Sequence, residues 1–171
     1  MNDNNFQKRL GRVMTVLGWI IVLGILSVYF ARYLDQQNNP NKDLSSMQRD
    51  DYKQVQLQRN RYGHYVASGM INSSEVVFIL DTGATDISIP EKVAQKLRLK
   101  AGIKIPVQTA NGQIDVYATT LDRVSLGEIE LHNISANINP YMQGEEVLLG
   151  MSFLKHLDFS QQGDQLLIRQ Y

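Results

Sequence analysis

The chain has 171 residues, and its 17 lysine and arginine residues balance 17 aspartate and glutamate residues, so we expect no nucleic-acid partner. It has no cysteine, which excludes disulfides, thiolate zinc sites and a cysteine nucleophile. Its three histidines, His64, His132 and His156, lack metal-ligand spacing, so we predict no metal and no cofactor.

An uncharged stretch covers residues 13–31. As a helix it would be about 28 Å long, close to the roughly 30 Å of a hydrocarbon core. A buried core helix would usually have a polar face, which this stretch lacks. A cleaved signal peptide would carry a small residue where Tyr29 stands. The stretch therefore predicts an uncleaved transmembrane anchor.

The charges on either side of the anchor predict its orientation. Lys8, Arg9 and Arg12 precede it, whereas Arg32 and Asp35 follow it. By the positive-inside rule, the segment 1–12 lies in the cytoplasm and the remainder of the chain lies outside.

Residues 32–57 are polar and rich in asparagine, glutamine, aspartate and lysine. Because such a composition offers little to bury, we interpret this segment as a linker, with a short helix within 45–56 as an alternative.

The final segment, 58–171, alternates short apolar runs with turn residues such as Gly112 and Gly127. We expect short helices over 91–99 and at the end of 147–154. Strands are predicted at 62–71, 76–80, 87–90, 103–109, 114–120, 121–125, 129–138, 157–159 and 166–169. Strands at this spacing indicate one small all-β barrel.

Asp81 follows the apolar strand 76–80 and begins the run Asp81-Thr82-Gly83-Ala84. A charge at the end of a buried strand is costly unless a partner stabilises it or shares its proton. The Thr82 hydroxyl and the Gly83 N–H can both hydrogen-bond a carboxylate held in a tight turn. As a tripeptide, however, Asp-Thr-Gly is also ordinary turn chemistry.

The context of this motif resembles the retropepsin-like aspartic proteases over residues 60–171. That family has an apolar strand before Asp-Thr-Gly-Ala, then a glycine-containing flap, then two apolar residues and a glycine before a short helix. The flap corresponds to Thr109, Ala110, Asn111, Gly112 and Gln113. The third element corresponds to Leu148, Leu149 and Gly150, which we expect to pack beneath the active-site loop.

The resemblance implies a small closed all-β barrel with one or two short helices, preceded by a transmembrane helix. It is greatest to the bacterial membrane-anchored branch, which implies the inner membrane with the protease domain in the periplasm or otherwise outside the cytoplasm. One departure concerns a charge pair that retroviral members place near the active site, since Thr85 and Met151 stand at its two positions. We therefore do not transfer the substrate and dimer contacts of that pair.

Aspartic protease chemistry needs two carboxylates that share one proton, and this chain has a single Asp-Thr-Gly. The sequence therefore predicts a homodimer with two catalytic Asp81 residues at its axis and a peptide or protein substrate. Thr82 would brace the paired loops, Gly83 would bond the carboxylate, and Ala84 would leave room above it. The C-terminal segment 165–171 is expected to pair across the dimer.

Two other interpretations remain open. A non-catalytic protein of the same fold could serve as a membrane-bound binding or assembly module. Alternatively, an unrelated periplasmic structural domain could use Asp81 only as a turn residue.

Overall fold

The computed structural model describes residues 3–49, 51–109 and 112–171, with side chains described from residue 9 onward. The chain divides into two compact units, Met1–Gln37 and Asn38–Tyr171.

Helix α1 covers Asp3–Asn38 and makes up nearly all of the first unit. It is therefore longer than the predicted anchor 13–31, because no helix-breaking residue interrupts the polar sequence on either side. It ends shortly before Pro40, which disfavours helical geometry in the residue preceding it. The helix is long and apolar enough to cross a membrane, and the apolar window is fully exposed within the described residues.

The second unit is built mainly from strands. Its elements in chain order are β1 (Ser45–Gln48), β2 (Lys53–Gln58), β3 (Val66–Ile71), β4 (Ser74–Leu80), β5 (Ile87–Pro90), α2 (Glu91–Lys96), β6 (Lys104–Thr109), β7 (Gly112–Leu126), β8 (Ile129–Asn139), β9 (Glu146–Leu149), α3 (Met151–Leu154), β10 (Asp158–Gln162) and β11 (Gln165–Gln170).

Seven of these strands form a sheet in the order β3-β4-β9-β5-β8-β7-β6. A further pairing of β3 with β7 joins Met70 to Ser125 and Ile71 to Val124. This contact closes six of the strands into a small barrel and leaves β6 outside the ring, paired with β7. The closed all-β barrel predicted from the sequence is confirmed.

The barrel interior holds the apolar side chains that the strand patterns predicted. Phe78 of β4, Leu121 of β7 and Leu149 of β9 are completely buried in one continuous core. Val76 and Phe78 of β4 are buried in this core, whereas Val77 and Ile79 on the opposite face of the strand are partly exposed.

A second sheet has the order β1-β2-β11-β10. Its strands β1 and β2 come from the segment predicted to be a linker, and the alternative of a short helix there is also wrong. Val55 and Leu57 of β2 are fully buried, so this part of the chain belongs to the folded unit.

Two further expectations differ from the structure. The separate strands predicted at 114–120 and 121–125 form one strand, β7, because no turn residue separates Thr120 from Leu121. The C-terminal segment was expected to pair across a dimer, but β11 lies between β2 and β10 of its own chain. Both edges of β11 are therefore occupied.

Candidate active site

Asp81 lies where β4 leaves the barrel. Strand β4 runs parallel to β9, with Leu80 opposite Leu149. The backbone N–H of Asp81 donates to the carbonyl of Leu149 at 3.2 Å, so the residue is fixed to the end of the neighbouring strand. Its side chain remains partly accessible. The carboxylate thus lies at the edge of the hydrophobic core and remains partly exposed to solvent.

The turn after Asp81 hydrogen-bonds both the carboxylate and the backbone carbonyl of this residue. The N–H of Gly83 donates to Asp81 Oδ1 at 2.9 Å, and the N–H of Ala84 donates to the Asp81 carbonyl at 3.2 Å. A Cβ on Gly83 would lie only 3.2 Å from Oδ1. Thr82 and Gly83 are exposed, while Ala84 is partly buried. The top of the loop is therefore an open surface in the single chain.

Gly150 and the first turn of α3 support the loop from below. The N–H of Met151 donates to the Ala84 carbonyl and that of Ser152 to the Thr85 carbonyl, both at 2.8 Å. A Cβ at Gly150 would lie 2.3 Å from the Asp86 carbonyl oxygen. Only glycine lets the two backbones approach this closely.

Ser152 is a supporting residue that the sequence interpretation missed. Its Oγ accepts a 3.1 Å hydrogen bond from the N–H of Ile87, and the side chain is 7% exposed. Together with the Ser152 N–H, this contact fixes both ends of the segment that leads from the Asp81 turn into β5. Its position as the one polar residue in the apolar run 147–154 was the available signal.

Leu148 and Leu149 lie on β9 beside the loop. Leu149 is fully buried, whereas Leu148 is partly exposed and pairs with Ile79 of β4 and with Ser88 of β5. Leu149 thus belongs to the core packing, and Leu148 lies nearer the surface.

Three of the residues predicted to form a flap, Thr109, Gly112 and Gln113, lie where β6 ends and β7 begins. Thr109 pairs with Gly112, and the Thr109 hydroxyl donates to the Gly112 carbonyl at 2.7 Å. Gly112 has φ +110°, a conformation that favours glycine. Gln113 pairs with Gln108. The predicted flap residues Ala110 and Asn111 lie outside the described residues.

An exposed ion pair joins the two strands of this hairpin further from its tip. Lys104 Nζ lies 2.9 Å from Asp115 Oδ2. The hydrogen bond and the charge of Asp115 raise the pKa of Lys104 above its ordinary value. The pair is solvated, so it contributes to hairpin register more than to stability.

A cavity of about 770 Å³ opens beside the loop. Asp86, at the end of the loop, lines it together with β7, β8 and the connection after α2. Its wall carries charges of both signs, from Asp86, Arg98, Lys100 and Asp122. The lining includes Asp86 but not Asp81.

Among the side chains that the structure describes, no three histidine, aspartate or glutamate residues lie together. The site consists of one carboxylate, a backbone turn and its supports.

Comparison with known proteins places this geometry in context. A family model described as gag-polyprotein putative aspartyl protease matches residues 67–156. The crystal structure of a retropepsin-like aspartic protease from Rickettsia conorii matches with a TM-score of 0.56 and 28% identity, over 75% of this chain and 95% of that one.

Two curated relatives are uncharacterised proteins. One, from Sinorhizobium sp, is 28% identical over 88% of this chain and 70% of its own length. The other, from Rickettsia prowazekii (strain Madrid E), is 30% identical over 69% of this chain. This chain spans about half, 52%, of the length of that second relative.

Proposed function

The chain belongs to the gag-polyprotein putative aspartyl protease family, and from that premise we propose that it is a membrane-anchored aspartic endopeptidase that acts as a homodimer. The observation that carries this proposal is the Asp81 carboxylate in its glycine turn, with Gly83 bonded to Oδ1 and Gly150 beneath the loop.

The reaction requires two carboxylates in different protonation states. In the proposed dimer, the Asp81 side chains of the two subunits meet at the two-fold axis and share one proton, because two adjacent carboxylates do not both ionise. The ionised member takes a proton from a water molecule as the oxygen attacks the scissile carbonyl. The protonated member donates its proton to the carbonyl oxygen. Breakdown of the tetrahedral adduct then transfers a proton to the leaving amine.

The surrounding residues have supporting roles in this mechanism. Gly83 N–H stabilises the ionised carboxylate by a charge-assisted hydrogen bond. Thr82, exposed in the single chain, would contact the partner's loop across the axis. The hairpin carrying Thr109, Gly112 and Gln113 would close over the substrate and exclude water.

Helix α1 is the proposed membrane anchor, because it is long and apolar enough to span a bilayer. The basic residues before it support a cytoplasmic N-terminus and a periplasmic protease unit in a bacterial inner membrane. A protease added to intact spheroplasts should digest residues 38–171 and spare a tag placed at the N-terminus. Digestion of the N-terminal tag in intact spheroplasts would contradict this orientation.

The direct test of the function is Asp81→Asn in the full chain. The asparagine amide can neither accept a proton from water nor share one with its partner. The substitution should therefore lower kcat/KM for peptide cleavage by about 10²–10⁴-fold or more. Asp43→Asn, an exposed aspartate in the same unit, is the matched control and should cleave normally. Circular dichroism of both variants checks that folding is unchanged.

The pH profile adds a second readout. A shared proton predicts a bell-shaped dependence of kcat/KM on pH, which belongs to the pair of carboxylates. Equal activity of Asp81→Asn and wild type would exclude the mechanism. A wild-type protein that cleaves no peptide across acidic and neutral pH would favour the alternative of a non-catalytic binding or assembly module.

A further inference from the structure

Two polar side chains, Ser88 of β5 and Asn137 of β8, are buried although neither belongs to the hydrophobic core. Ser88 is 8% exposed and Asn137 is 6% exposed. The residues on either side of Ser88, Ile87 and Ile89, pack in the core, so Ser88 points to the opposite face of the sheet. Its Oγ donates a 2.9 Å hydrogen bond to Asn137 Oδ1, so both side chains lie on that face. Neither residue has a role in the proposed mechanism.

The strand register connects this polar pair to β4, the strand that leads into Asp81. Ile79 of β4 lies opposite Leu148 of β9, and Leu148 lies opposite Ser88. Ser88 in turn lies opposite Asn137. Because residues directly opposite each other point to the same face, these four side chains line one face of the sheet.

Asp81 points to the same face. Its N–H bonds the Leu149 carbonyl, so the residue continues the pairing of β4 with β9 beyond Leu80. Since side chains alternate along a strand, Asp81 lies on the face of Ile79. Strand spacings of about 4.8 Å and a rise of about 3.3 Å per residue place the Cα atoms of Asp81 and Ser88 about 12 Å apart. An extended substrate with its scissile bond at Asp81 covers that distance in about three residues.

The amide nitrogen of Asn137 has no partner in the described part of the chain. The hydrogen bond from Ser88 is the one that the Asn137 side chain makes there. Among the same residues, Arg59 Nε is the one fully enclosed side-chain nitrogen or oxygen without a partner, so Asn137 Nδ2 still touches solvent. Buried polar groups are nearly always hydrogen-bonded. An open donor on a residue this deeply buried therefore favours a ligand that supplies the acceptor.

The neighbouring residues determine which ligand fits. Ala118 of β7 lies opposite Asn137 and extends the row, and Ala118, Ile79 and Leu148 are apolar and partly exposed. We call these three residues, together with Ser88 and Asn137, the polar row. None of the five is charged, so an ionised side chain would lose its hydration without gaining a counter-charge. The row offers one donor, Asn137 Nδ2, and one acceptor, the Ser88 Oγ whose proton is already donated.

We propose that Ser88 and Asn137 select a glutamine or asparagine side chain of the substrate, within about three residues of the scissile bond. The inference rests on the proposed function and adds a substrate class to it. The substrate carboxamide oxygen accepts from Asn137 Nδ2, and the carboxamide N–H donates to Ser88 Oγ. An apolar side chain of the same shape leaves both groups unpaired, and a site built for hydrogen bonds rejects such an analogue.

A randomised peptide library cleaved by the full chain in detergent tests this preference. Sequencing of the products should show glutamine or asparagine enriched at one position near the cleavage point. Two pairs of peptides then measure the preference, with glutamine against methionine and asparagine against leucine at that position, because each pair is similar in volume. The carboxamide peptide should have a kcat/KM about tenfold higher or more. The difference should lie mainly in KM, because the contact is remote from the reacting atoms.

Substitutions in the polar row should change this preference. Asn137→Leu keeps the approximate shape of the side chain but removes the donor, so it should abolish or reverse the preference. A merely structural role would lower cleavage of both peptides of a pair by the same factor. Ser88→Ala removes the acceptor and should reduce the preference. Ser125→Ala is the matched control, because Ser125 is a partly buried serine of β7 that pairs with Met70 and Glu130, outside the row.

Capture of the same library on immobilised full-length Asp81→Asn protein separates this inference from the proposed function. Wild-type cleavage with no preference for a carboxamide, or with a preference for the apolar peptides, would overturn the inference alone. A wild-type chain that cleaves no peptide would overturn the protease proposal, and the capture would then decide the inference. Enrichment of glutamine or asparagine that is lost when Asn137→Leu is added would uphold it, and the absence of such enrichment would overturn it. If Asn137→Leu does not fold, the wild-type preference and its response to Ser88→Ala decide the same question.

Discussion

Gly150 lies at the point where α3 meets the loop that follows Asp81. A side chain there would meet the Asp86 carbonyl oxygen at 2.3 Å and the Ala84 carbonyl oxygen at 2.7 Å. Both atoms belong to the backbone of the loop, so a flexible side chain cannot move aside to relieve the contact. The position of the Asp81 carboxylate therefore depends on the absence of a Cβ at residue 150, which follows five further strands, β5 to β9, along the chain.

Gly150→Ala should consequently displace the loop and destabilise the protein. Forcing a methyl group into a well-packed site costs about 1–3 kcal/mol, and we expect peptide cleavage to fall more steeply than stability. Gly63→Ala is the comparison, because nothing lies within 4 Å of its Cβ although its φ of +85° adds strain. Urea unfolding measures the stability of both variants, and peptide cleavage measures their activity. For Gly63→Ala, we expect no loss of activity beyond what its loss of stability explains. A fully active Gly150→Ala protein would refute this account of the loop.

At the scale of elements, strands β1 and β2 were not predicted, because the segment that contains them is polar in composition. The sequence of β2 alternates polar residues with Val55 and Leu57, which is the period of a half-buried strand. Composition over the whole segment concealed that period. By contrast, the Asp81 turn could be predicted from local sequence, whereas the packing of Gly150 beneath it was expected only from the resemblance to a known family.

Other features of the fold depend on distant pairing. The closure of the barrel by β3 and β7 joins residues more than fifty positions apart, and no local pattern encodes it. The same limit explains the misplaced dimer strand. A hairpin could be predicted near the C-terminus, but the position of β11 inside the sheet depends on β2. Which strand remained at the edge could not be inferred without that partner.

Asn41 joins β2 to the barrel through its buried side chain. Its Nδ2 donates to the carbonyls of Gln58 and Val66, at 2.9 and 2.6 Å, and its Oδ1 accepts from Gln58 N–H at 2.6 Å. Asn41→Ala removes these three hydrogen bonds, of which the one to the Val66 carbonyl is buried. The loss should cost about 1–3 kcal/mol. Chemical denaturation measures the loss.

Asp43→Ala provides the control for that substitution, since Asp43 is exposed two residues away. It should change stability by no more than about 0.5 kcal/mol. Equal stability of the two variants would mean that the segment before β1 contributes little to the folded unit, contrary to its burial.

At the scale of the whole molecule, a membrane anchor changes the concentration at which subunits meet. The proposed dimer needs two copies, and the unit Asn38–Tyr171 is compact by itself. In solution, a weak dimer dissociates on dilution by mass action. Subunits held in one bilayer keep the same surface density when the vesicles are diluted, so their effective concentration is unchanged.

This difference predicts two responses to dilution. Below its dissociation constant, the unit 38–171 in solution should lose specific activity about tenfold for each tenfold dilution, because the dimer fraction falls with concentration. The full chain in vesicles should keep its specific activity on dilution with buffer. It should lose activity when the ratio of lipid to protein is raised, since that change lowers the surface density. If both forms lost activity equally on dilution with buffer, α1 would not raise the local concentration, and dimerisation would depend on the protease unit alone.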